Sequence, residues 1–120
     1  MHLKNALETQ GIETAHGEIV REILGHTAGG TSAHSLAHIT LPPGKSSLKH
    51  YHPVVEESYY VLSGQGRMLV QNEERSLKPG DTVAIPPNTV HQIVNQSDEA
   101  LTFLAVCVPP WTSDCSVFVD

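Results

Sequence analysis

The chain carries eight histidines in 120 residues, and three of them stand where they could act together with one acid. His50 and His52 alternate, so in a strand both imidazoles leave the same face while Lys49 and Tyr51 leave the other. Glu57 follows a short loop opened by Pro53 and starts the next strand. His91 arrives from a distant segment and closes the set. A bare His-x-His could be no more than the polar face of an edge strand. With Glu57 and His91 in frame, the group suits one divalent transition metal, Fe, Mn, Ni, Cu or Zn. Four protein ligands leave up to two octahedral positions free. Open positions are what separate a working metal site from a structural one.

The elements that would position these side chains are short. Gly, Pro and brief β-branched runs alternate along the chain, the texture of an all-β domain with turns at close intervals. Leu3 to Gln10 reads as a short helix closed by Gly11. Strands are expected over 19–24, 35–41, 50–51, 58–62, 67–70, 82–85, 90–94 and 101–108, with an edge strand over 117–119. Pro42-Pro43-Gly44, Ser63-Gly64, Asn72-Glu73, Pro79-Gly80 and Pro86-Pro87-Asn88 supply turns. In the last of these, Pro87 suits the second turn position and Asn88 the left-handed region, which aims His91 inward. Many short strands at even spacing point to a closed barrel or jelly roll.

The same residues resemble the two motifs of the cupin superfamily. The first motif runs Gly44, His50, His52, Glu57, Gly64. The second runs Gly80, Pro86, His91, Asn95, with Asn88 where the family usually has Gly. Asn tolerates left-handed backbone better than most residues, so the departure is mild. The spacing to Gly64 favours Glu57 over Glu56 as the ligand. The resemblance implies a cupin double-stranded β-helix of six to eight strands, the conserved-barrel type, with a short N-terminal helix or arm. One domain over 1–120 is expected: arm and first strand over 1–30, motif one over 44–64, motif two over 80–95. It also implies a homodimer, with outward residues such as Leu62 and Leu69 in the contact. The family holds dioxygenases, isomerases, epimerases, lyases and sensory binders, and fold does not choose among them.

Other residues could add chemistry. Tyr59 and Val61 share parity with Glu57 and should face the cavity, where Tyr59 could be a wall or a catalytic group. His34 and His38 share one face of the 35–41 strand, opposite Ala37, Ile39 and Leu41, and either face could look inward. If His38 does, it could act as a general base beside the metal. His2, His16 and His26 read as solvated. Phe103, Ala105 and Cys107 share one strand face, with Cys107 a pocket liner or a small buried thiol. Pro109-Pro110-Trp111 could rim the barrel mouth or simply end a strand.

Composition narrows the partners. The net charge is -6 and no Lys/Arg cluster occurs, so neither nucleic acid nor an anionic membrane is an expected partner. The polar start of the chain is unlike a secretory signal, and a cytoplasmic setting is expected. Cys107 and Cys115 are then reduced thiols. Alternation turns Lys49 and Arg67 away from the cavity, so the inward positions offer no guanidinium or ammonium for a phosphate or dicarboxylate. A small neutral or weakly charged organic substrate fits better. Dioxygenase chemistry stands ahead of isomerase, epimerase or lyase chemistry, including the mannose-6-phosphate-isomerase-like kind. The alternative is a non-catalytic, metal-containing small-ligand binding protein.

Overall fold

The computed structural model describes residues 1–120. Eleven strands follow in order: β1 (Ile12–Glu13), β2 (Ile19–Leu24), β3 (Ser35–Leu41), β4 (His50–Tyr51), β5 (Glu56–Ser63), β6 (Gly66–Val70), β7 (Glu73–Leu77), β8 (Thr82–Ile85), β9 (His91–Val94), β10 (Leu101–Val108) and β11 (Val117–Phe118). They form a six-stranded sheet, β1-β2-β3-β10-β5-β8, and a five-stranded sheet, β11-β4-β9-β6-β7. Every strand pairing is antiparallel. The two sheets face each other as a double-stranded β-helix, as the cupin resemblance implied.

Alternation decides what each strand buries. On β5, Glu57, Tyr59 and Val61 are buried while Glu56, Ser58, Tyr60 and Leu62 are exposed. On β10, Leu101, Phe103, Ala105 and Cys107 point inward. Met68 and Ile93 meet them from the other sheet, and the core closes over Leu41, Ile85 and Leu77. Arg67 turns outward and pairs with Glu74 at 2.6 Å. The parity expected of β5, β6 and β10 therefore holds.

Three elements differ from expectation, the first being the two-residue strand β1, which the sequence pattern does not reveal. The N-terminal helix shrinks to a 3-10 turn, Ala6–Glu8, capped by the Asn5 side chain and burying no residue. A helix that short is marginal without an apolar face packed on the body. Strand β7 appears where a turn and polar chain were read. Only Leu77 of β7 is buried. Its place is fixed by the ladder to β6 from Val70↔Glu73 to Gly66↔Leu77. Burial pattern cannot reveal an edge strand whose side chains are almost all in water.

The motif residues outside the ligand set hold the turns. Gly64 has φ +87, and a Cβ there would strike the Ala100 carbonyl. Asn88 adopts φ 62, the left-handed conformation expected of it. Asn95 is fully buried: its Nδ2 donates to the Leu41 and Glu99 carbonyls at 2.9 and 2.7 Å, and its Oδ1 accepts from Ser97 N–H at 3.0 Å. It clasps the end of β3 to the chain entering β10.

Candidate metal centre

The ligand set draws on both sheets. His50 lies on β4, directly opposite His91 on β9. His52 follows β4, and its carbonyl accepts the Asn88 N–H at 2.6 Å, tying the Pro86–Thr89 turn to the histidine pair. Glu57 crosses from β5 of the other sheet. One donor atom from each of the four residues lies within 4.8 Å of the others. Glu57 Oε1 sits 3.2 Å from His91 Nε2 and 3.3 Å from His52 Nε2. Ligands bonded at roughly 2.1 Å to one ion stand about 3 Å apart when adjacent, so the spacing fits a shared ion.

The second nitrogen of each ring settles which atom faces the centre. His50 Nδ1 is 2.7 Å from the Leu48 carbonyl, His91 Nδ1 is 2.9 Å from the Thr89 carbonyl, and His52 Nδ1 is 3.1 Å from the Cys115 carbonyl. A carbonyl can only accept, so each Nδ1 carries a hydrogen and Nε2 is the ring atom left to meet a metal. Such carbonyl contacts commonly fix the tautomer and ring orientation of ligating histidines. His52 Nε2 is buried and has no hydrogen-bond partner, although Glu57 is near. A buried nitrogen left in that state calls for a ligand.

Protons occupy the centre when a metal does not. Burial alone would push Glu57 up, but His52 and His91 outweigh it and hold the carboxyl at about 2. Burial works against charge on His52, yet Cys115 and Glu57 overcome it and raise the ring to about 10. Burial pushes His50 down to about 4. Near neutral pH, His52 thus holds a proton that a metal must displace, while Glu57 and His50 have none to lose. Metal binding at pH 7.5 is expected to release about one proton, and affinity should rise about tenfold per pH unit between pH 7 and 9. Calorimetry in buffers of different ionisation enthalpy measures that proton, and release near zero would contradict the arrangement.

Beside the ligands lies a cavity of about 290 Å³ whose wall includes His50, His52, Glu57, Tyr59, Ala105 and Cys107. None of its 20 lining residues is Lys or Arg, as parity implied. Tyr59 is buried against Phe103, with ring centroids 4.8 Å apart. Burial first, then the charge of Glu57, lifts its phenol well above the ordinary value.

A cupin-domain family profile matches residues 37–107, which include both motifs. The chain belongs to the cupin family. An uncharacterized protein of Methanocaldococcus jannaschii is 39% identical over 101 residues, 84% of this cupin and 81% of the relative. A glucose-6-phosphate isomerase of Thermococcus onnurineus is 41% identical over 64 residues, 48% of this chain and 34% of its own. Quercetin 2,3-dioxygenase of Bacillus subtilis is 42% identical over 50 residues, 42% of this chain and 15% of its own. These two thus share only a segment. Among solved structures, a predicted oxalate decarboxylase of Thermotoga maritima superposes with a TM-score of 0.82 at 26% identity, covering 89% of this cupin and 98% of that chain.

The remaining candidates divide. Ser35, Ala37 and Ile39 line the cavity, so His38 points to the other face of β3, between Arg21 and Leu104 in register. It cannot serve as a base at the metal. Cys107 lines the cavity and donates to Glu57 Oε2 at 3.3 Å, a free thiol like Cys115. Trp111 lines the cavity too. His16 is only partly solvated, where full solvation was expected: it lies on the cavity wall, 2.7 Å from Glu18.

Sequence reasoning missed Thr14, Glu18 and Glu22 on that wall, and Cys115–Ser116 behind His52. The shared parity of Glu18, Val20 and Glu22 was the available signal for the first group. None existed for the second, because only the returning C-terminal strand β11 brings Cys115 to His52.

No helix is long and apolar enough to cross a membrane.

Proposed function

We propose that this cupin is a metalloenzyme acting on a small neutral or weakly charged organic molecule, with dioxygenase chemistry ahead of isomerase or lyase chemistry. One observation carries the reading: three Nε2 atoms and a carboxylate converge beside a cavity that offers no Lys or Arg. A divalent transition metal held there would supply open positions for substrate and, if redox-active, for dioxygen. The chain's own part is to fix the donors through Leu48, Thr89 and Cys115, and to wall the cavity with Tyr59, Ala105 and Cys107.

Loss of the expected bases supports the order of reactions. His38 faces away, and the Tyr59 phenol is held too firmly protonated to take a proton at neutral pH. Isomerase or lyase chemistry would have to draw its base from His16 or Glu18, which stand 2.7 Å apart on the cavity wall.

Oxygen consumption by iron-loaded protein, screened over small enols, diols and diketones, tests the choice. Uptake that disappears in His52→Ala is the expected result. Substrate-dependent deuterium exchange into carbon without oxygen uptake would move the reading to proton transfer.

We also propose a homodimer, formed over the outer face of the six-stranded sheet. Tyr60, Leu62 and Val108 are 46%, 40% and 48% exposed there. Leu69 lies on the other sheet and outside that patch. Sedimentation should show a dimer that Leu62→Glu dissociates; a wild-type monomer at micromolar concentration ends the idea.

A further inference from the structure

The cavity has a second polar end. Across the six-stranded sheet the register runs Tyr59, Ala105, Ala37, Glu22. Three strand spacings separate the ends, roughly 14 Å. The two alanines between them leave the cavity floor low, so one space runs from the metal ligands to β2. Glu22 stands at the far end, and Thr14, His16 and Glu18 line the same cavity. His16 is engaged by Glu18 at 2.7 Å. Glu22 Oε2 accepts the Thr27 and Ala28 N–H groups at 3.1 and 2.8 Å. Glu22 Oε1 and Thr14 Oγ1 are buried with no partner at all. At the near end His52, 3% exposed, has an unpartnered Nε2. Buried polar atoms are rarely left unpaired, and several along one cavity mark where a ligand's groups belong.

We propose that the Glu18–Glu22 wall selects the substrate: a small neutral or cationic molecule bearing hydroxyl or amine donors, and not a dianion such as oxalate or a phosphate ester. The inference rests on the metalloenzyme reading above, since the ligand is taken to reach from the metal to β2. Glu22 Oε1 can accept a donor but give none while ionised. With no Lys or Arg on the cavity lining, an entering dianion meets two carboxylates, of which His16 pairs with only Glu18. Discrimination then comes from the repulsive element as much as from the attractive one. Burial, opposed by the His16 contact, raises the Glu18 carboxyl above its ordinary value. Its charge is short of solvation, and a ligand donor would restore what water does not.

Cobalt(II)-loaded protein tests this through its visible spectrum, which changes when a ligand enters an open position. 6-Aminohexanol, long enough to reach from the metal to β2, and oxalate are the probes, titrated into wild type, Glu18→Gln, Glu22→Gln and the double variant. Glutamine keeps an acceptor oxygen and removes the charge. The double variant should gain about tenfold in oxalate affinity and lose about tenfold for 6-aminohexanol, a modest share of what like-charge contacts cost in a site. If the double variant fails to fold, each single variant should shift both affinities in the same directions by a smaller factor. Affinities unmoved by the variants, or moved in the opposite directions, overturn the proposal while leaving the metal centre intact. A folded wild-type protein that takes up no cobalt removes the metal centre and this inference with it.

Discussion

His91→Ala is expected to abolish useful metal binding and to weaken the metal-free protein as well. His91 is 1% exposed and its ring does two jobs. Its Nε2 faces the centre beside Glu57 Oε1, while its Nδ1–H is spent on the Thr89 carbonyl. Changes to groups that merely orient a ligand cost roughly 10–100-fold in metal affinity, and loss of a ligand should exceed that range. The metal-free effect comes from Glu57. Its buried carboxylate keeps only His52 and Cys107 once His91 is gone, and stripping a partner from a buried charge costs about 3 kcal/mol. His50→Ala separates the two effects. His50 is only partly buried, so that variant should lose the metal but less than about 1 kcal/mol of metal-free stability. Metal content and urea midpoints measure both quantities. Wild-type metal affinity in His91→Ala would remove the centre described here.

Phe103→Ala should be the most damaging single change in the core. Phe103 is fully buried on β10 and packs on Tyr59 at 4.8 Å. Truncating a buried phenylalanine costs about 4 kcal/mol, from lost burial and the cavity left behind. A domain of this size has only about 5–15 kcal/mol in total. The metal ligands are elsewhere, so excess metal should recover part of the loss, about 2.7 kcal/mol at a hundred times Kd. Denaturation with and without metal checks this. A loss below about 1 kcal/mol would mean that the β5–β10 layer is not the packed centre of the fold.

The His50, His52, Glu57 and His91 cluster was legible because each of its constraints is local or periodic. His50 and His52 follow strand alternation, Glu57 heads the next strand, and turn residues at Asn88 and Gly64 need special backbone angles. The inward face of β5 followed from the same period of two. What stayed hidden depends on which sheet face curls inward and on what covers an open edge. The 35–41 strand carries Leu36, His38 and Thr40 on one face and Ala37, Ile39 and Leu41 on the other, and only the fold puts Ala37 and Ile39 inside. The β2 strand is half-buried along its whole length, so its alternation is weak, and Glu18 and Glu22 looked like ordinary surface acids. His16 was misjudged for the same reason: a loop residue becomes a wall only when the arm folds over the barrel mouth.

The most direct test of the metal centre is the proton NMR spectrum of the cobalt(II)-loaded protein in water and in deuterium oxide. Coordination through Nε2 leaves an Nδ1–H on each of His50, His52 and His91. Three far-shifted resonances that exchange with solvent are therefore expected, one vanishing with its own histidine in each alanine variant. A cobalt protein with no such resonances, or with the same three after His91→Ala, would contradict the account.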